Sequence, residues 1–321
     1  MPWQIGIDEA GYGPNLGPLV MCATACRTTE PQVDLWRAMR ATVRRHDDED
    51  NGRMLVADSK LVYTPARGLR QLECGVLAFL FGGRWPPRRD GVCVRELLEA
   101  VCSSSHKEMT KECWYHGSTR LPLAASGDDH HNGVNGWRRT SEARGLEWGL
   151  AAGVLVVARR FNQTVDKRGS KGFVLGLGLA ELLHHCLRLP GDDALDIVVD
   201  KHGGRNFYCD VLQHAFEEGM VLAREEGAEL SVYEIVGLGR PVRVRFMPRA
   251  DATAFCVALA SMLAKYLREV LMHEFNGFWT SRVPGLAPTA GYPGDSARFF
   301  EAIQGEMTKL GLTRERVWRE R

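Results

Sequence analysis

The chain opens on a short apolar run, Ile5-Gly6-Ile7, that turns acidic at Asp8-Glu9 and breaks at Ala10-Gly11-Tyr12-Gly13-Pro14. Glycines and a proline this close together stop a strand or a helix, so the run reads as a strand ending in a tight loop. A second apolar run, Leu19 to Cys26, follows Gly17-Pro18 and suits a hairpin partner. Thr64-Pro65 offers a helix start, and Leu69, Leu72, Val76, Leu77 and Leu80 recur at helical spacing, which predicts a helix from there to about Phe81. The periodicity then fades through Trp85-Pro86-Pro87 and a stretch rich in Ser, His, Gly and Asn, so residues 83–150 read as an insertion or lid. It divides a domain made of 1–82 and 151–275, which 276–321 extend. Val154 to Ala158 restores a strand, and Arg159, Arg160, Lys167, Arg168 and Lys171 are expected on a basic loop leading to an apolar, helical segment that ends near Cys186. Ile197-Val198-Val199-Asp200 reads as another buried strand, stopped by Lys201-His202-Gly203-Gly204. A helix from about Phe207 to Glu218, strands around Ser231 to Val236 and Val242 to Phe246, and a long helix from roughly Ala252 to Phe275 complete the pattern. Strands alternating with helices imply an α/β sheet, and the early hairpin makes it mixed.

Composition supports a packed fold: 45% of the 321 residues are hydrophobic and 25% charged, too apolar for a disordered chain. Lys and Arg (41) nearly cancel Asp and Glu (40), and a net charge of +1 excludes a protein that coats nucleic acid by its overall field. Any such binding has to come from local cationic clusters and should be salt-sensitive. The apolar run Ala254 to Ala264 is too short to span a bilayer and is closed by Lys265, so no membrane contact is expected. Asp8 and Glu9 stand where a signal peptide needs apolar residues, which points to a cytoplasmic location. Nine cysteines without framework spacing read as reduced thiols. Cys102, His106, Cys113, His116, His130 and His131 follow no zinc-finger spacing, and Trp85, Trp114, Trp137 and Trp148 read as packing residues.

The acidic residues carry the chemistry. Asp8, Glu9 and Asp200 each stand where an apolar strand stops, the edge at which α/β sheets keep their sites, and Asp251 stands at the start of the long helix. Anions converging there raise each other's pKa unless a cation lies between them. Mg²⁺ or Mn²⁺ would fit such oxygen ligands, and two ions about 4 Å apart suit in-line phosphodiester hydrolysis. Each acid also has a plainer reading: Asp251 as a helix cap, and Asp8 and Glu9 as turn residues on opposite faces of the strand.

The segment Gly6-Ile7-Asp8-Glu9-Ala10-Gly11-Tyr12-Gly13-Pro14 with Gly17-Pro18 resembles the opening of ribonuclease HII, the type 2 ribonucleases H. Asp58-Ser59-Lys60, Val198-Val199-Asp200 and Arg249-Ala250-Asp251 through Ala260-Ser261-Met262-Leu263-Ala264-Lys265 resemble later motifs of that family in the same order. Gly291-Tyr292-Pro293-Gly294-Asp295 and a tail with Arg316 and Trp318 are also similar. The resemblance implies a ribonuclease H-like fold, a five-stranded mixed sheet flanked by helices, with a helical C-terminal extension. It implies a monomeric endonuclease that cuts the RNA strand of an RNA–DNA hybrid, or ribonucleotide-containing DNA, leaving 5′-phosphate and 3′-hydroxyl ends.

Carried over by position, Asp8, Glu9, Asp200 and Asp251 become the metal-binding catalytic acids, Lys60 a phosphate contact, Tyr292 a stacking partner of a sugar, and Gly11-Tyr12-Gly13 the loop that senses the ribose 2′-hydroxyl. The family has arginine where Tyr12 stands, which keeps the backbone readout and removes a charged contact. It commonly has glycine soon after the third acid, where Lys201-His202 stands, and usually aspartate at Glu269. Arg159 to Lys171, Arg243 and Arg245 suit either a solvated face or phosphate contacts. Two other readings stay open: a non-catalytic nucleic-acid-binding protein on the same fold, and a related nuclease with an altered substrate.

Overall fold

The computed structural model describes residues 1–320 except 47, 50, 84 and 86–91. The Pro86-Pro87 break therefore lies outside the described residues. Seven strands form the main sheet: β1 (Trp3–Ala10), β2 (Leu19–Arg27), β3 (Glu147–Val156), β4 (Leu195–Asp200), β5 (Met220–Glu226), β6 (Ser231–Val236) and β7 (Val242–Met247). Their order across the sheet is β3-β2-β1-β4-β7-β6-β5. β1 and β4 are parallel, as are β4 and β7, while β2 runs antiparallel to both β1 and β3. The helices longer than one turn are α1 (Arg70–Gly82), α2 (Val94–Val101), α3 (Gly127–Ala143), α4 (Ala158–Arg168), α5 (Lys171–Leu187), α6 (Cys209–Ala215), α7 (Phe255–Thr280) and α8 (Pro293–Lys309). The fold is α/β, a mixed sheet flanked by helices with a helical C-terminal segment, as the sequence implied.

The sheet has two strands more than the five expected. Edge strand β5, which pairs with β6, escaped the sequence reading because it is mostly exposed and offers no apolar alternation. Several boundaries also move, among them those of the long helix, expected from Ala252 to Phe275 and running from Phe255 to Thr280, and of the strand expected from Val154 to Ala158, which is Glu147–Val156. α1 starts at Arg70 and not at Thr64-Pro65, because Gly68 has φ 72° and interrupts the chain between them. Arg159 to Arg168 lie on α4, which ends at left-handed Gly169, so the basic stretch is a helix and not a loop. The helix expected from Phe207 to Glu218 is limited to Cys209–Ala215.

Each face of the sheet carries its own core. Ile5 and Ile7 point to the face covered by α5 and α6, together with Ile197, Val199, Val244 and Phe246. On the other face α7 packs with α1 against Val20, Cys22 and Cys26. Trp137 of α3, Trp148, Leu97 and Val101 belong to this second core, so residues of the 83–150 segment are packed into the layer that covers the sheet. Trp137 stands 5.6 Å from the Phe79 ring and 5.0 Å from Trp148. Buried Glu73 of α1 joins the layer by accepting the N–H groups of Leu123, Ala124 and Ala125 and the Tyr266 hydroxyl. Among the described residues no helix is long and apolar enough to cross a membrane.

One contact fixes where α7 starts. A Cβ on Gly6 would lie 2.0 Å from the Val257 nitrogen and 2.1 Å from the Cys256 carbonyl carbon, so the first turn of the helix rests directly on the backbone of β1. Thr24 of β2 donates its hydroxyl to the Cys256 carbonyl at 2.8 Å and fixes the same turn from the neighbouring strand.

Candidate active site

Strand register brings the first acids together. β1 and β4 pair in parallel up to Ile7 and Val199, so Asp8 and Asp200 follow side by side at the carboxyl edge of the sheet. Asp8 is 7% exposed; it accepts the Glu9 N–H at 2.7 Å and a hydrogen bond from Ser261 of α7. The Ser261 hydroxyl in turn lies 3.1 Å from that of Ser59, which seats the one-turn helix Ser59–Val62 against α7. Asp58 caps this turn by accepting the Lys60 N–H at 2.9 Å. Asp200 accepts the Ala250 N–H at 2.8 Å, and its neighbour Arg249 holds φ 53°. That left-handed residue turns successive N–H groups toward the carboxylate, a backbone nest for an anion at a small conformational cost. Asp251 lies in the 3₁₀ turn Ala250–Ala252 and is 8% exposed. The residue at the α7 cap is Ala254, so Asp251 is not the helix cap.

The electrostatics tie all four acids into one cluster. Burial first, then the charges of Glu9 and Asp200, raise the Asp8 carboxyl well above the usual carboxylate range. Burial and the Asp200 charge push Glu9 up to about 7, against the opposing pull of Lys60. Asp251 is pushed up to about 6 by burial, Asp58 and Asp200, again opposed by Lys60. Asp200 is raised mainly by burial, with the Ala250 N–H and Lys60 acting the other way. Lys60 is thus the cation shared by Glu9, Asp200 and Asp251. Asp58 is an acid that sequence reasoning passed over, although its motif with Lys60 was in view.

The donor chemistry fits a hard divalent cation. All the acids offer oxygen, and Glu9 Oε2 is buried without a hydrogen-bond partner. As they stand, however, no three His, Cys, Asp or Glu side chains among the described residues are grouped closely enough to hold a metal ion. One oxygen each of Asp8 and Asp200 accepts a backbone N–H, from Glu9 and Ala250.

The glycine loop after β1 is fastened from below by two buried arginines. Arg268 of α7 donates to the carbonyls of Pro18 at 3.0 Å, Leu16 at 3.3 Å and Ala290 at 2.8 Å. Arg319 donates to the Gly11 carbonyl at 2.6 Å and to that of Pro14. Gly11 holds φ 87°, and a Cβ there would lie 2.7 Å from the Arg268 side chain, so both conformation and space require glycine. Gly13 is open to solvent, and Tyr12 is half-buried with the Lys171 ammonium 4.8 Å from its ring centre. The Gly291 carbonyl accepts the N–H groups of Asn15 and Leu16, which brings exposed Tyr292 to the same loop. Glu269 receives the Tyr63 hydroxyl at 2.9 Å and pairs with Lys265. In the tail, Arg316 donates to the Lys111 carbonyl, and it is Arg319 that reaches the loop. Of the other basic candidates, Arg245 is paired with Asp196 at 2.7 Å, and Arg160 with Glu181 at 3.3 Å. Lys201 turns away from the acids to Asn206 and Ser231, and burial pushes the neighbouring His202 down to about 4.

These shifts predict the behaviour of the cation-free protein. In the fold Glu9 loses its proton only near 7, against about 4.5 when unfolded, so its ionisation removes stability progressively as pH rises between those values. Glu9→Gln is therefore expected to stabilise the protein in EDTA at pH 8 by about 2 kcal/mol, an effect that shrinks toward zero at pH 4.5. Thermal unfolding of both proteins across this range measures the difference, and a pH-independent difference would contradict the assignment.

No protein-family model matches the chain, and no curated protein does. Solved structures are similar to it at low identity. A chain in the PCNA:RNase HII complex from Archaeoglobus fulgidus is 15% identical, with 99% of this chain and 94% of that chain covered and a TM-score of 0.44. Ribonuclease H2 from Pyrococcus horikoshii OT3 is 16% identical, with 98% and 92% covered and a TM-score of 0.46. Bst-RNase HIII in complex with Mn²⁺ is 14% identical, with 99% and 65% covered and a TM-score of 0.39. At these identities and TM-scores the likeness assigns no residue and no activity.

Proposed function

We propose that the protein is a metal-dependent endoribonuclease that hydrolyses the RNA strand of RNA–DNA hybrids, leaving 5′-phosphate and 3′-hydroxyl ends. The observation that carries this reading is the convergence of Asp8, Glu9, Asp200 and Asp251 on one sheet edge, with all four carboxyls raised and Lys60 acting on three of them. Their order and sequence context, resembling the type 2 ribonucleases H, give the substrate class. In this reading the four acids hold Mg²⁺ or Mn²⁺, whose chemistry when bound is charge neutralisation and Lewis-acid activation of phosphodiester hydrolysis. Lys60 contacts a substrate phosphate, the open backbone of Gly11 and Gly13 approaches the ribose, and exposed Tyr292 stacks on a neighbouring sugar. A protein that only bound nucleic acid would gain nothing from buried carboxylates facing phosphates.

The test is incubation of the purified protein with labelled RNA–DNA hybrid, duplex DNA, duplex DNA carrying one ribonucleotide, and single-stranded RNA, each with Mg²⁺, Mn²⁺ or EDTA. Cation-dependent cleavage of the hybrid is expected. Binding without cleavage would favour the non-catalytic alternative, and cleavage of duplex DNA would mean a nuclease of changed substrate. Tyr12 carries a finer prediction. Tyr12→Arg restores a charged contact beside the ribose, so it is expected to raise the rate on the single-ribonucleotide duplex relative to the hybrid by about tenfold, the scale of one charged hydrogen bond. An unchanged ratio would remove Tyr12 from substrate selection.

A further inference from the structure

We infer that the surface leading away from the acid cluster over the start of α5 binds single-stranded nucleic acid that continues beyond the hybrid; this rests on the function proposed above. Three large apolar side chains are exposed here: Phe173 at 50%, Leu177 at 37% and Phe207 at 67%. Phe173 and Leu177 stand four residues apart on α5 and so share a helix face. Phe207 joins them through Arg205, which donates to the Phe207 carbonyl at 2.8 Å and whose guanidinium would be 3.9 Å from a Cβ on Gly176, next to Leu177.

Cations lie along the same patch. The Arg168 guanidinium lies 6.0 Å from the exposed Phe173 ring centre, Lys171 covers the half-buried Tyr12 ring, and Arg205, beside Phe207, lies 5.1 Å from the ring centre of buried Tyr208. None of Arg168, Lys171 and Arg205 is held in an ion pair among the described residues. The patch borders the candidate active site, because Lys171 covers the ring of Tyr12, which stands in the loop that follows Asp8 and Glu9.

Exposed rings with cations beside them that are in no ion pair suit the bases and phosphates of an unpaired strand, whose exposed base faces stack on aromatic side chains. In duplex nucleic acid those faces are already stacked on each other, which selects the single strand as the occupant. The centre of a protein–protein contact would instead be depleted of lysine.

The test uses fluorescence anisotropy in EDTA with the full chain and two probes: a blunt RNA–DNA hybrid, and the same hybrid with a single-stranded DNA extension at either end. The extension is expected to tighten binding by about tenfold, the scale of stacking on one or two rings. In Phe173→Ala/Phe207→Ala, whose truncated side chains are exposed and whose fold is checked by its unfolding temperature, the ratio of the two affinities falls to near one. Arg205→Glu is expected to reduce the ratio without removing a ring. A wild-type ratio of one, or a ratio kept by the double variant, overturns the proposal and leaves the patch to a protein partner. Because binding is read without cations or turnover, absence of hybrid cleavage in Mg²⁺ would defeat the nuclease reading while leaving this ratio to stand or fall separately.

Discussion

Asp200→Asn and Asp8→Asn are each expected to reduce hybrid cleavage by about a thousandfold, the scale on which one group acting on developing charge contributes to catalysis. Both residues stand just beyond the last parallel pair, Ile7 and Val199, and both feel the neighbouring acids, so neither can lose its charge without weakening cation binding for the cluster. The fold should survive. Asparagine keeps the oxygen that accepts the Glu9 N–H or the Ala250 N–H, and removing one of several repelling carboxylates relieves strain in the cation-free protein. The informative result is therefore a protein of equal or higher unfolding temperature with turnover lost. Wild-type-like turnover in either variant would remove these residues from the chemistry.

The largest expected effect on stability lies at Gly6→Ala. A methyl group at that position meets the Val257 nitrogen and the Cys256 carbonyl carbon, both backbone atoms in the first turn of α7, at about half a normal contact distance. No rotamer relieves a Cβ clash, so the helix must lift from β1, loosening the core beneath it and the hydrogen bond from Thr24. A loss above about 4 kcal/mol is expected, enough to leave most of the chain unfolded or insoluble. Gly13→Ala is the control, because nothing lies within 4 Å of its Cβ position and its stability should stay within about 0.5 kcal/mol of wild type. Equal unfolding temperatures for the two variants would contradict the packing of α7 on β1.

Much of this arrangement was legible in the sequence where apolar periodicity met a sharp polar stop. Asp8, Glu9 and Asp200 stood out because Ile5 to Ile7 and Ile197 to Val199 are buried runs broken by carboxylates, although β1 itself continues through Asp8 and Glu9 to Ala10. Lys60 and Tyr292 were found by motif, and the structure sets Lys60 among the acids and Tyr292 on the loop they border. What escaped depends on long-range contacts that leave no local pattern. β5 is held by pairing with β6 and not by its own burial. Buried Arg268 and Arg319 left no signal in the sequence, since their partners are backbone carbonyls far away in the chain. Residues 83–150 have weak periodicity because α3 carries Gly, Asn and His on much of its surface and is held chiefly through Trp137, Thr140 and Ser141. Asp58 was masked by its role as a turn cap.

The central claim is that clustered carboxylates support water attack on a phosphodiester of the RNA strand, and the ends of the products test it most directly. An RNA–DNA hybrid incubated with the protein in Mg²⁺ or Mn²⁺ is expected to yield fragments with 5′-phosphate and 3′-hydroxyl ends, with none formed in EDTA. Fragments ending in 2′,3′-cyclic phosphate, or cleavage that persists in EDTA, would show attack by the ribose hydroxyl and contradict the role assigned to Asp8, Glu9, Asp200 and Asp251.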